Sequence, residues 1–438
     1  MNQTEDNQVL NLPVYAHRNS LYEELHTRPS PKVASPCYVS HLALVRSEGS
    51  VNGEYELILN LCQRFSVNPP SEGASCFYQN FGGFELRWER HTEFSTYTFI
   101  RPDDGQGLAE GQALSFIPKD WLNQLPGELV VALHMRVTED ALTEGEQAGF
   151  FEGQRPAGSM LANSKACVLT TFRLHSDSFG RILLHNMGLN ANQMGRMIQR
   201  LLEMETYRLM ALMGLPVARS LASEVTAMEI QLADLNQQIA HIQTEKDERE
   251  LLQQISQIAA KVEQYRSDTN YRFAATNAYY ALVGKRLEQV HEQHISGMQT
   301  MRDFLERRLT PGIRTCNSLR DRLEDLSRRI HRTTSLLRTR VEVSIESQNQ
   351  QLLVSMDRRS SLQLRLQQTV EGLSVVAIGY YLLSLFGYVF AGMEEWGYPI
   401  NKTIALGVAM PIVLLLVYGF VRRHIKSLER HGNKKPPQ

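Results

Sequence analysis

Several features that mark common enzymes and secreted proteins are missing from this sequence of 438 residues. It contains no complete Walker loop and no GxSxG, GxGxxG or HExxH motif, so it has no recognisable nucleotide, hydrolase or zinc-protease site. Its five cysteines include no CxxC pair and no metal-ligand spacing, and we expect them to be reduced and structural. An enzyme is therefore the least supported class of function.

Two other absences concern charge and targeting. The formal net charge is only −1, which gives no indication of general nucleic-acid binding. The first residues, MNQTEDNQVLNLPVY, lack a basic region followed by an apolar stretch, so no signal peptide is predicted. We therefore expect the large N-terminal part to stay in the cytosol.

Charged side chains are also missing from two long runs near the C-terminus. Residues 372–392 read GLSVVAIGYYLLSLFGYVFAG and residues 403–421 read TIALGVAMPIVLLLVYGFV. At about 1.5 Å per residue, each run as a helix spans roughly the 30 Å hydrocarbon core of a bilayer. The alternative is a buried hairpin in a soluble protein. We interpret the runs as two transmembrane helices joined by an external turn, residues 393–402.

Basic residues predict how this hairpin lies in the membrane. The tail, residues 422–438, is rich in Arg and Lys, and Arg358, Arg359 and Arg365 precede the first span. The turn carries Glu394 and Glu395. By the positive-inside rule, both ends of the hairpin are cytoplasmic.

The N-terminal region, residues 1–195, reads as an α+β domain. Strand-like runs occur at residues 37–45, 84–100, 127–135 and 166–174. In the run at 84–100, large apolar or aromatic residues recur at every second position at Phe84, Leu86 and Trp88 and again at Tyr97 and Phe99, which is typical of half-buried antiparallel strands. A helix over residues 53–65 is expected to cover one face.

The region that follows, residues 196–371, is predicted to be a long helical coiled-coil stalk. From Leu221 to Ile242 the apolar positions follow a 4-3 heptad spacing, and the spacing returns from Cys316 to Leu337. No proline interrupts the chain between Pro311 and Pro399, so the last stalk helix is expected to run directly into the first span. The spacing leaves open whether the heptads pair within one chain or between chains.

Five stretches together resemble an uncharacterised family of bacterial membrane-anchored proteins, known as a domain of unknown function. They are LHTRPSP (25–31), MIQRLLEMETYR (197–208) with GLPVAR (214–219), RTRVEVSIESQNQQLL (338–353) and LQLRLQQTVEGLSVVAIGYY (362–381). This resemblance covers nearly the whole chain and implies an anchored protein of the bacterial inner membrane. It implies no biochemistry.

The order of parts also resembles, more distantly, the CorA-type divalent-cation transporters. Those proteins are similar in ending the first span with Gly-Met-Asn, where this chain has Gly392, Met393 and Glu394. The resemblance implies a CorA-like homo-oligomer of about five copies and a possible divalent cation, with no other cofactor. The glutamate in place of asparagine puts magnesium selectivity in doubt.

Two sets of residues near the external turn are candidates for this chemistry. A ring of Glu394 or Glu395 side chains in an oligomer would attract hydrated cations, whereas the alternative is that both only keep the turn solvated. Small residues on the first span either line a path or pack against another helix; they are Ala377, Ser384, Gly387 and Ala391, with Gly392 and Met393 at the mouth.

His26 and Arg28 form a possible ligand loop, because an arginine can bind a phosphate or carboxylate through two hydrogen bonds. The alternative is an ordered N-terminal segment docked on the domain. For the whole chain we expect either a cation channel, transporter or sensor, or a membrane-anchored coiled-coil adaptor whose cytosolic head binds a protein partner.

Overall fold

The computed structural model describes residues 15–18, 22, 30–46, 50–103, 113–242, 244–395, 397 and 401–432. The chain divides into two compact units, Met1–Thr334 and Ser335–Gln438. The N-terminal unit holds the sheet and most of the helices, and the C-terminal unit holds the two apolar runs.

A mixed sheet of nine strands forms the centre of the described part of the first unit. The strands are β1 (Cys37–Val45), β2 (Cys76–Asn80), β3 (Glu85–Arg90), β4 (Phe94–Pro102), β5 (Glu128–Thr138), β6 (Ala157–Leu161), β7 (Ala166–Thr170), β8 (Gly180–Asn186) and β9 (Gln293–His294). Their order is β2-β3-β4-β1-β5-β8-β7-β6-β9, and β5 and β8 pair in parallel while the other pairs are antiparallel. The predicted strand at 37–45 is confirmed, and the run at 84–100 becomes the β3–β4 hairpin.

Helices cover both faces of the sheet, which confirms the α+β prediction. One face packs on α1 (Ser50–Arg64) and α2 (Lys119–Leu122), where the fully buried Trp121 donates a hydrogen bond of 2.7 Å from Nε1 to the carbonyl oxygen of Leu57. A third helix, α3 (Glu144–Phe150), begins with a capping box at Thr143. The other face packs on α4 (Ala191–Leu212).

The heptad region forms helices that pack within one chain. They are α5 (Gly214–Ile239), α6 (Glu245–Gln289), α7 (Met301–Arg308) and α8 (Thr310–Glu395). Arg322 on α8 forms an ion pair of 2.7 Å with Glu229 on α5, and the side chains of Asn277 on α6 and Asn317 on α8 are joined by a 2.8 Å hydrogen bond. The apolar residues buried in these helices include Val225, Met228, Leu232, Leu235, Leu319, Leu323, Leu326 and Ile330. Packing within the chain accounts for the heptad spacing, and a coiled coil between chains stays a prediction.

The same helices share the core of the sheet. Val283, Leu287 and Val290, at the end of α6, are buried in one cluster with strand residues such as Val39 and Leu133. The predicted domain boundary at residue 195 lies inside α4, a helix whose residues are buried in the same cluster, and it stays a prediction.

In the second unit, the predicted spans lie in the end of α8 and in α9 (Lys402–Gly432). Both are long and apolar enough to cross a membrane, and Pro411 lies inside α9. The two apolar helices that the sequence predicts are thus present.

Candidate functional site

The two apolar helices pack together through glycines of the first span. Gly379 and Gly387 are buried, as are Val413 and Val417 on α9. A Cβ added at Gly379 would lie 3.0 Å from Cδ2 of Leu414, and one at Gly387 would lie 3.7 Å from Cδ1 of Leu406. Because a missing side chain lets two helix backbones approach closely, both glycines contribute to packing within the hairpin.

The other residues predicted to line a path or to pack against a helix lie away from that contact. Ala377, Ser384, Gly392 and Met393 are exposed, and Ala391 is half-buried. Ala377, Ser384 and Ala391 recur at intervals of seven residues, so they share one side of the helix. The structure therefore divides the predicted set: Gly387 faces the second span, whereas most of the others face outward.

Two tyrosines share the outward side of the first span. Tyr381 and Tyr388 have 72% and 78% of their surface exposed, and each follows a small residue by four positions. In a bilayer their hydroxyl groups would need hydrogen-bond partners, because hydrocarbon offers none. This side of the helix is thus uncovered by the second span and partly polar.

The acidic pair lies at the end of α8, where the chain turns. Both Glu394 and Glu395 are exposed, and the backbone N–H of Gly397 donates a 3.2 Å hydrogen bond to the carbonyl oxygen of Glu394. At 100° per residue, Glu395 lies about 20° around the helix from Ser384, whereas Glu394 lies about 80° away. Glu395 therefore continues the outward side more closely than Glu394 does. Trp396, Tyr398 and Pro399 lie outside the described residues.

The described residues of a single chain contain no group of three or more His, Cys, Asp or Glu side chains that could hold a metal ion. Divalent cations such as Ca²⁺ take six to eight oxygen ligands, and Mg²⁺ keeps several waters beside one or two carboxylates. Glu394 and Glu395 alone supply a negative charge rather than a complete coordination shell.

The predicted ligand residues His26 and Arg28 lie outside the described residues. The part of that stretch that is described docks on the start of α4. The backbone N–H of Val33 donates a 3.1 Å hydrogen bond to the carbonyl oxygen of Ala191, and the carbonyl oxygen of Pro31 would lie 1.8 Å from a Cβ at Gly195. The glycine at 195 therefore makes room for the N-terminal segment.

A cavity of about 30 Å³ lies beside this segment, between the sheet and α4. It is lined by residues that include Pro31, His41, Arg87, Glu89 and Thr206. Arg87 is buried and forms a 2.9 Å ion pair with Glu89. A volume of this size holds one or two water molecules, so the cavity is too small for an organic ligand.

His41 is a buried histidine, and no pattern in the sequence predicts its structural role. Its Nδ1 lies 2.8 Å from Oγ1 of Thr98, and its Nε2 lies 3.0 Å from Oγ1 of Thr206, so it links the sheet to α4. Burial, with Arg87 and His91 nearby, lowers the pKa of His41 to about 3. The ring is neutral at physiological pH and serves as a hydrogen-bonding link.

Ser40 and His134 also come together, with Oγ of Ser40 2.9 Å from Nδ1 of His134. Both are buried, and the His134 ring stacks on Phe179 with 4.0 Å between ring centroids. Burial lowers the pKa of His134 to about 4. A nucleophile needs access to substrate, so this pair is structural.

No curated protein matches the sequence. Residues 13–428, nearly the whole chain, match a family described as Protein of unknown function (DUF3422). The chain belongs to this uncharacterised family.

Proposed function

We propose that the protein is a homo-oligomeric membrane protein that moves or senses cations, with the first span of each copy facing a common axis. The observation that carries this proposal is the outward side of the first span. It is left uncovered by the second span, it combines small residues with tyrosine hydroxyls, and it ends at Glu395. Two spans alone cannot enclose a pore, so conduction requires several copies.

The chemistry of the mouth supports a cation as the ligand. Repeating Glu395 around an axis would place a ring of carboxylates where an ion enters, and acidic rings of this kind select cations in channels. The order of elements, an α+β unit followed by long helices and two apolar helices, supports the likeness to CorA-type transporters. Glu394 in place of the asparagine of those proteins favours a different ion selectivity.

The proposed location is the bacterial inner membrane, with both termini in the cytoplasm. The uncharged spans and the basic residues that flank them support it. In this orientation Glu394 and Glu395 face the outside, and the sheet lies in the cytosol.

The test begins with the mass of the complex, measured in mild detergent with enough resolution to count subunits. A closed ring of about five copies is expected, and Mg²⁺, Co²⁺ or Ni²⁺ should then enter proteoliposomes. Glu395→Gln should reduce the influx at least about tenfold, because it removes every charge from the ring. Glu394→Gln should reduce the influx less, because Glu394 lies about 80° around the helix from Ser384. A monomer, or an oligomer that passes none of these ions, would contradict the proposal.

A second candidate is a membrane-anchored adaptor, and one observation favours it. Within the described residues, β2 is the end strand of the sheet and pairs with β3. An end strand can bind an extended peptide as an added strand. An adaptor should retain its function after Glu395→Gln and after exchange of the hairpin for an unrelated one, whereas a channel should not.

A further inference from the structure

The segment of α8 that precedes the first span carries a second heptad series. Positions 345, 349, 352, 356, 359, 363, 366, 370, 373 and 377 alternate in steps of four and three. Apolar side chains occupy Ile345, Leu352, Met356, Leu366, Val370, Leu373 and Ala377. Ala377 is also the first of the outward small residues of the span, so one seam continues from the segment into the apolar run.

This seam is uncovered in the single chain. Its six large apolar side chains, from Ile345 to Leu373, are between 52% and 73% exposed. The portion before residue 372 lies outside the predicted span, where water would surround it. Burying a Leu-sized side chain removes roughly 80 Å² from water, so the five that precede residue 372 would bury roughly 800 Å² in two copies, and the polar side chains of the seam add to this towards the roughly 1,000 Å² that a specific interface needs.

We infer that a second copy of this chain covers the seam, in a parallel and in-register contact between the α8 helices over residues 345–377. The inference rests on the proposed function, because it assumes that the first span crosses the membrane. Identical chains inserted in the same direction hold this segment at the same height above the bilayer. Each residue of the seam therefore meets the same residue of its neighbour.

The polar positions in the seam fit this arrangement. Asn349 and Gln363 can each form a hydrogen bond with the same side chain of the next copy, and a polar residue at a single seam position is a known way to fix register. Arg359 is the one charged residue in the seam. Because copies of Arg359 would repel one another, it weakens the middle of the contact and divides it into two apolar parts.

Cysteine cross-linking in membranes that contain the full chain tests this contact. Leu352→Cys is oxidised with copper phenanthroline, and the fraction of disulfide-linked dimer is measured by electrophoresis without reductant. A disulfide requires Cα atoms about 4.4–6.8 Å apart, and a parallel, in-register contact of two α8 helices brings residue 352 of the two copies within this range. The matched control is Val354→Cys, which is 69% exposed and lies on the opposite side of the helix.

Leu352→Cys should give at least about five times more dimer than Val354→Cys. Equal yields, or no dimer from either variant, would overturn the inference. As a second test, Arg359→Leu should raise the dimer fraction of Leu352→Cys, and a fall would contradict the seam. The subunit count separates the two proposals: an oligomer without a disulfide at 352 overturns only this inference, whereas a monomer overturns both.

Discussion

The carbonyl oxygen of Pro31 lies where the side chain of residue 195 would be. A Cβ at Gly195 would come within 1.8 Å of that oxygen and 2.8 Å of the Pro31 carbonyl carbon. No rotamer change can relieve a clash with backbone atoms. The absence of a side chain at 195 therefore fixes the path of the N-terminal segment across α4.

Gly195→Ala should displace this segment and lower the free energy of unfolding by about 1–3 kcal/mol, the usual cost of overpacking. The matched control is Gly284→Ala in α6, where a Cβ would meet no atom within 4 Å. It should stabilise the protein by up to about 1 kcal/mol, because alanine favours helix more than glycine does. Urea unfolding in mild detergent, followed by tryptophan fluorescence, measures both. A Gly195→Ala protein as stable as the control would contradict the close contact.

The heptad packing within one chain predicts that alanine substitutions at two positions of α5 change the free energy of unfolding by different amounts. Leu232 is fully buried, whereas Ile230, two residues earlier, is 59% exposed. Leu232→Ala should cost about 2–5 kcal/mol, because it leaves a cavity among the helices. Ile230→Ala should change the free energy of unfolding by about 0.5 kcal/mol or less. If α5 instead paired mainly with another chain, the two effects would depend on protein concentration.

The buried histidines predict a loss of stability in mild acid. His41 and His134 have folded-state pKa values of about 3 and about 4, below the usual value of about 6.5 in an unfolded chain. As the pH falls from about 6.5 towards 4, the unfolded chain takes up protons that the folded chain does not. The free energy of unfolding should therefore fall by about 1.4 kcal/mol per pH unit for each histidine, and the full stability should be present above about pH 6.5.

Thermal or urea unfolding at pH 7, 6 and 5 measures the slope of the free energy of unfolding against pH. In His41→Gln the slope should be shallower than in the unmodified protein, whatever the loss of stability at pH 7. An unchanged slope in both His41→Gln and His134→Gln would show that neither ring is held neutral.

Substitution of Gly379 in the first span tests the packing between the two apolar helices. Gly379→Val should push against Leu414 and destabilise the hairpin by about 1–3 kcal/mol. Gly372→Val makes the same change where a Cβ would meet no atom within 4 Å, so it controls for the helix propensity of valine. The melting temperature in detergent should fall for Gly379→Val and stay nearly constant for Gly372→Val.

Local patterns in the sequence predict much of the fold. The strand-like run at residues 37–45 coincides with β1, and the 4-3 spacing locates buried residues such as Leu232 and Leu326. The order of the sheet is not predictable in this way. Pairing of Ser159 with His294 joins residues far apart in the chain, and β9 is only two residues long. No periodicity is detectable in so short a strand.

The packing of the candidate site is likewise not predictable from local patterns in the sequence. The sequence places Glu394 and Glu395 at the end of a span, but spacing alone does not indicate which side of a helix packs on its neighbour. Gly387 belongs to the same small-residue series as Ser384, yet only Gly387 faces Leu406. Which residues line a shared axis depends on that packing.

The position of β9 at the end of the sheet has a consequence for synthesis of the protein. This strand and the core residues around it, such as Val290 and Met301, leave the ribosome about a hundred residues after the other strands. The sheet therefore stays incomplete, with apolar surface exposed, until shortly before the first apolar run emerges. Completion of the N-terminal unit thus precedes the emergence of the first apolar run during translation.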